Sequence, residues 1–281
     1  MKRICLFFIL ALMILGANSY AELEDGLVSA WNFDDGTAND SIGSNDGEFV
    51  NGASAINAEF GMALNVDNPE NPATGENTGQ YVEIPSSASL EKEDGIFSVS
   101  LWVYIRTGGG RDHSAMFFKG DKVGWGDHFM VRMCTTSEAN MTWGSCWAGS
   151  EGWFATDNVY AEEEWVHVAY VVNGEEATAY VTSSVTGDTV VPASGQENPR
   201  PIETPLRTFP ERPVELGVGR QIGGNAGNDF WIDGMIDEVY FWERAISEDE
   251  VKELAGGAVL GAVAVEAQGK LATTWAHIKK R

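Results

Sequence analysis

Cysteine is scarce in this chain. Of three in 281 residues, Cys5 falls in the N-terminal apolar stretch, which leaves Cys134 and Cys146. Two cysteines without a matching His/Cys cluster make a poor zinc site. Positive charge is scarce as well: 18 Lys and Arg stand against 42 Asp and Glu, a net charge of −24. Such a balance repels phosphates and argues against nucleic-acid binding and against acidic membranes. Most of the carboxylates read as solvated surface, while the surplus suits divalent cations. Apolar runs long enough to span a membrane are missing; Ile4 to Leu15 is the longest, and it is short for that task. Alternation of strands and helices is also missing, so no Rossmann-type reading is available.

What is present begins with a processing signal. Lys2 and Arg3 precede the apolar run, and Ser19-Tyr20-Ala21 offers a small-residue cleavage site. The expectation is a signal peptide over 1–21 and a secreted or cell-envelope protein starting near Glu22; the alternative is an uncleaved anchor. No Cys follows the run, so a lipoprotein anchor is unsupported. In an oxidising compartment a Cys134–Cys146 disulfide is the default, two reduced thiols the alternative.

Strand signals fill the rest. Leu27 to Phe33 and Met62 to Val66 read as strands, and the Asn/Asp/Ser/Gly-rich stretch from Thr37 to Gly52 as a structured loop. Val99, Leu101, Val103 and Ile105 alternate with Ser98, Ser100, Trp102 and Tyr104, with large side chains on both faces at the far end. That is the pattern of a central strand. Asn173-Gly174 marks a hairpin between Trp165–Val172 and Ala177–Thr182. Ser247, with Glu250 three residues on, caps one short helix that ends at Gly256-Gly257. Many short strands and one late helix predict an all-β sandwich over 22–256, with a tail over 257–281. In the tail Leu271, Trp275 and Ile278 recur at helix spacing before Lys279, Lys280 and Arg281. Packing back on the sandwich, fraying, and a terminal attachment or sorting role are the open readings.

Four blocks resemble one family. Leu27-Val28-Ser29-Ala30-Trp31-Asn32-Phe33-Asp34-Asp35-Gly36 is similar to the opening of laminin-G-like, concanavalin A-like jelly rolls. Ile96-Phe97-Ser98-Val99-Ser100-Leu101-Trp102-Val103 resembles their central strand, and Glu164-Trp165-Val166-His167-Val168-Ala169 before Asn173-Gly174 resembles their hairpin. Ile232 to Ser247, with Asp237-Glu238 and Arg244, resembles their last strand and helix start. The resemblance implies a two-sheet antiparallel jelly roll with a structural calcium ion tying the first strand to the last. Asp34 and Asp237 are the side chains best placed for that metal; Asp237 is expected on the face of Val239 and Phe241. The alternative is that Asp237 only caps loop amides. Asp112, Asp121, Asp127 and Asp233 are second-line ligands.

This fold hosts lectins, adhesion modules and glycosidases, so function rests on the site. Glycosidases of the fold carry paired carboxylates on one strand face. No such motif occurs here, and Asp237 and Glu238 are adjacent, with side chains expected to face opposite ways. His113, His128 and His167 lack a neighbouring Ser or Cys motif for a triad. The expectation is no enzyme. Trp31, Trp102, Trp165 and Trp242 fall in the family blocks and read as core. Trp125, Trp143, Trp147 and Trp153, with Asp127 and His128, cluster in Gly/Ser/Asp-rich sequence and read as a carbohydrate surface; a second mini-core is the alternative. The leading expectation is a non-catalytic module that binds a glycan. The competing one is an adhesion module that binds a cell-surface protein.

Overall fold

The computed structural model describes residues 23–68, 79–107, 115–120, 128–136, 140–146, 153–155, 162–183, 191–192, 198–206, 208–217 and 231–260; for 128–136, 140–146, 153–155 and 191–192 it describes the backbone. The strands form two antiparallel sheets. The first runs in the order β13 (Val191–Pro192), β12 (Glu176–Thr182), β11 (Trp165–Asn173), β6 (Ile96–Ile105), β16 (Gly234–Trp242), β4 (Met62–Val66) and β3 (Ser54–Asn57). Beside this path β1 (Leu27–Trp31) pairs with β16, and β14 (Arg200–Pro201) with β12. The second runs β10 (Trp153–Ala155), β9 (Asn140–Cys146), β8 (His128–Thr136), β7 (Ala115–Gly120), β15 (Val214–Leu216), β5 (Tyr81–Ile84) and β2 (Glu48–Val50). This is the all-β sandwich the pattern predicts, with the two-sheet jelly-roll arrangement the resemblance implies.

Strand β6 is central, paired with β11 on one side and β16 on the other. Its apolar set, Val99, Leu101, Val103 and Ile105, is buried between the sheets with Val82, Phe117, Val168, Ile236 and Phe241. Phe241 stacks between Phe97 and Phe117, with centroids 5.9 and 6.2 Å away. The β11–β12 hairpin turns at Gly174, whose φ of 92° a side chain rarely adopts. Asn173 Oδ1 accepts from the N–H groups of Glu175 and Glu176, at 3.0 and 2.9 Å.

A second, smaller core lies on the outer face of the first sheet. Leu23, Ala30, Tyr240, Trp242 and Ile246 pack there against Val251 and Leu254 of helix α1 (Glu248–Ala255). Ala258 and Leu260 belong to it too, so the folded unit continues past the expected boundary at 256. The helix starts on the predicted capping box: Ser247 Oγ accepts from Glu250 N, and Ser247 N donates to the Glu250 carboxylate. Ser247→Ala should lower stability by about 1 kcal/mol, read as a shifted urea midpoint at unchanged slope.

Three expectations are corrected. Strand β1 stops at Trp31, because Phe33 takes φ of 56° and turns the chain. The stretch expected as loop ends in strand β2, and before it Asp40 accepts from the N–H groups of Ala30, Ile42, Gly43 and Asn45. The register also sets Cys134 opposite Thr142, and Cys146 opposite Met130. The cysteines therefore stand four residues apart along the ladder, about 13 Å. A disulfide needs Cα atoms within roughly 7 Å, so this register does not bring the pair together.

Candidate functional site

Strand β16 is interrupted in its middle. Asp237 pairs with Trp102 and Tyr240 with Ser100, so Glu238 and Val239 together oppose Leu101. This is a β-bulge, and Glu238 carries it with φ of 50°. The extra residue changes which side chains share a face. Ile236, Val239 and Phe241 go to the core between the sheets. Tyr240 belongs to the outer core, and its hydroxyl donates to the Glu238 carboxylate. Asp237 and Glu238 are thus both on the outer side, which corrects two expectations: Asp237 does not share the face of Val239 and Phe241, and the two carboxylates do not face opposite ways.

Both are buried, at 1% and 4% exposed. Burial pushes both carboxyls far above the usual carboxylate range; Glu238 beside Asp237, and Asp34 beside both, push the same way. Asp34 reaches them from the end of β1. Its Oδ1 accepts from Met62 N at 2.9 Å, over Gly61. A Cβ on Gly61 would lie 2.0 Å from that oxygen, so only glycine admits the approach. Asp237 Oδ1 accepts from Glu238 N at 2.8 Å, while buried Oδ2 has no hydrogen-bond partner. An orphaned buried carboxylate oxygen is stabilised by a proton or a cation. Among the described residues no group of three or more His, Cys, Asp and Glu is arranged to hold a metal ion. Asp34 lies close enough to raise the Asp237 pKa, and any cation between them would need backbone carbonyls or water to complete its shell.

Next to the bulge the outer face turns aromatic. Trp165 pairs with Tyr104, and His167 with Trp102. Phe60, from the β3–β4 turn, sits 5.3 Å from Trp102 and 5.2 Å from Trp165. Trp102 is buried here and Trp165 half-buried; neither joins a hydrophobic core cluster, unlike Trp31 and Trp242. The Tyr104 hydroxyl donates to Glu163 at 2.7 Å. His167 Nε2 lies 2.8 Å from Ser100 Oγ, but its Nδ1 is buried without a partner, so no carboxylate completes a triad. Burial lowers the His167 pKa to about 3.

The tryptophan-rich segment maps to one end of the second sheet. Trp125, Asp127 and Trp147 lie outside the described residues, as do Asp112, Asp121 and His113. Trp153 stands opposite Cys146, and that position continues across the sheet through Met130, Phe118, Glu215 and Glu83 to Glu48. His128 is two residues from Met130 on the same strand, opposite Gly120. Trp143, opposite Met133, is three residues from Cys146. The row contains a feature the sequence did not flag. Glu215 is 1% exposed between core residues Val214 and Leu216, and burial, with Glu83 opposite, raises its pKa to about 8. Asp233, a second-line metal ligand, is engaged by Arg106 at 2.6 Å.

Two stacked antiparallel sheets, a bulged closing strand and one late helix define a jelly roll of the concanavalin A-like class. Residues 76–252 match the model of a laminin G family described as the concanavalin A-like lectin/glucanases superfamily, and the chain belongs to that family. No curated protein matches it in sequence. Among solved structures it is similar to domain 4 of AbnA, a GH43 extracellular arabinanase from Geobacillus stearothermophilus, in complex with arabinotriose. Identity is 20%, the match covers 82% of this chain and 98% of that one, and the TM-score is 0.55. It is also similar to the binding domain of Paraclostridial Mosquitocidal Protein 1, at 14% identity, 83% and 52% coverage and a TM-score of 0.52. The binding domain of botulinum neurotoxin DC in complex with SialylT shows 11% identity, 83% and 52% coverage and a TM-score of 0.51. The chain thus spans about half of each toxin chain. At these identities the likeness is one of fold. No described helix is long and apolar enough to cross a membrane.

Proposed function

We propose that this protein is an exported, non-catalytic carbohydrate-binding module. The observation that carries the reading is the likeness, over nearly the whole of the other chain, to a domain solved with a bound arabinotriose. The ligand surface is the outer face of the second sheet around Trp153 and His128, with Trp125, Asp127 and Trp147 in the adjoining sequence. An indole presents a flat apolar face to a sugar ring, and carboxylates and imidazoles read its hydroxyls. Calcium, held by Asp34 and Asp237, stiffens the junction of first and last strands and takes no part in chemistry.

The register makes a test within this set. Trp153→Ala should weaken binding on a glycan array at least tenfold, about 1.4 kcal/mol, with an unchanged melting temperature. A Trp153→Ala protein that keeps full glycan binding would sink this surface. An empty array, with a pulled-down cell-surface protein, would favour the adhesion module; turnover of a polysaccharide would overturn the non-catalytic reading.

A further inference from the structure

His167 lies on β11 between Val166 and Val168, both of the core between the sheets, so its ring points to the outer side of the first sheet. Thr182 on β12 is directly opposite it in the register and follows Val181, another residue of that core, so it points the same way. Ser100 on β6 reaches the ring from the other flank, with Oγ 2.8 Å from Nε2. Ser100, His167 and Thr182 are 0, 1 and 8% exposed, so bulk solvent does not reach them. Two polar atoms are left over in this group. His167 Nδ1 and Thr182 Oγ1 are both buried without a hydrogen-bond partner. Each such atom costs the folded state its lost hydration, and here the two stand side by side.

The ring fixes which of them donates. Burial lowers the His167 pKa to about 3, so the imidazole is neutral over the ordinary range, with one nitrogen donating and the other accepting. Among the described residues Ser100 Oγ bonds to Nε2 alone. A serine hydroxyl has one hydrogen to place. If Ser100 donates to Nε2, that hydrogen is satisfied and Nδ1 carries the ring proton. The opposite tautomer would strand the Ser100 hydrogen as well. The group therefore presents an N–H donor at Nδ1 beside a hydroxyl at Thr182.

We propose that one buried water molecule accepts from His167 Nδ1–H and donates to Thr182 Oγ1, so that a single imidazole ties β6, β11 and β12 together. Directly opposite residues have Cβ atoms about 5 Å apart, yet these two polar atoms do not bond each other, which is the spacing a bridging water fills. Folded proteins hold such waters at roughly one per 27 residues, each on two to four polar partners. A metal cation does not suit the place, because Nδ1–H turns a proton toward it. The site is independent of the glycan reading, which concerns the other sheet.

The test uses the full chain labelled with 15N. Long-range proton–nitrogen spectra should show Nδ1 as the protonated nitrogen of His167, and a rotating-frame experiment should give a cross-peak between that proton and a long-lived water. Thr182→Val keeps the side-chain shape and removes the hydroxyl. It should abolish the water cross-peak and lower Tm by about 3 °C, while Thr182→Ser keeps both. A proton on Nε2, or no water cross-peak in the wild type, would overturn the proposal, and neither result depends on a variant folding. An unchanged or raised Tm in Thr182→Val would overturn it too, since a dry, unbonded hydroxyl is better replaced by a methyl group.

Discussion

Trp242→Ala should destabilise the domain by about 3–5 kcal/mol, lowering Tm by roughly 10 °C or more. The ring is fully buried and meets Tyr240 edge-on, 5.7 Å between centroids. Its Nε1 donates to Leu23 O at 2.7 Å. The substitution therefore opens a cavity beneath α1 and leaves the Leu23 carbonyl without its donor. Arg244, which donates to Asp25 O and pairs with Glu250, should hold part of this junction and keep the protein folded at low temperature. Thermal melts of the two proteins decide the matter; a change within two degrees would show that the segment starting at Leu23 is not docked.

A second large effect should come from pH. In chelator, stability should fall from pH 6.5 to 9. Carboxyls of the unfolded chain have released their protons above about pH 5, whereas folded Asp237, Glu238 and Glu215 retain them because burial and neighbouring charge raise their pKa values. The folded state then binds more protons, so their stabilisation is fully present below the unfolded pKa and is lost as pH rises through the folded one. Each such group contributes a slope of up to about 1.4 kcal/mol per pH unit. His167 acts in the opposite sense, since it is neutral when folded down to about pH 3. Its stabilisation is lost only as pH falls below about 6.5, outside the window. Asp237→Asn should raise Tm at pH 8 and shrink the slope, leaving the shares of Glu238 and Glu215. If calcium sits between Asp34 and Asp237, it should stabilise the wild type by about 2.7 kcal/mol at a hundred times its Kd, more at high pH, where protons compete less. The gain should vanish in Asp237→Asn. Equal melting with calcium and with chelator at pH 8.5 would remove the ion from this junction.

Strands and caps were legible where a local pattern and the tertiary environment agree. The alternation in β6, the Asn173-Gly174 hairpin and the Ser247–Glu250 box each carry their own chemistry in adjacent residues. The bulge was not legible, because Glu238 is neither Gly nor Asn and nothing in its neighbours announces a left-handed φ. One unrecognised residue then reversed the face assigned to Asp237. Burial of Glu215 was hidden for a related reason. Alternation between Val214 and Leu216 tells that it leaves the core between the sheets, but not whether the outer face is covered. The cysteine pair shows the limit of counting: compartment chemistry suggested a bond, and the ladder register spaces the residues beyond reach.

The contact between Leu23 and Trp242 joins residues 219 positions apart, and among the described strands β1 pairs with β16 alone. A chain made from its N-terminus therefore carries its first strand unpaired until nearly all the rest has been synthesised. Loop closure of that length comes late and is slow to nucleate. The sandwich has no early, self-sufficient half containing β1, so an incomplete chain should remain extended and accessible to whatever handles it before the last strand arrives.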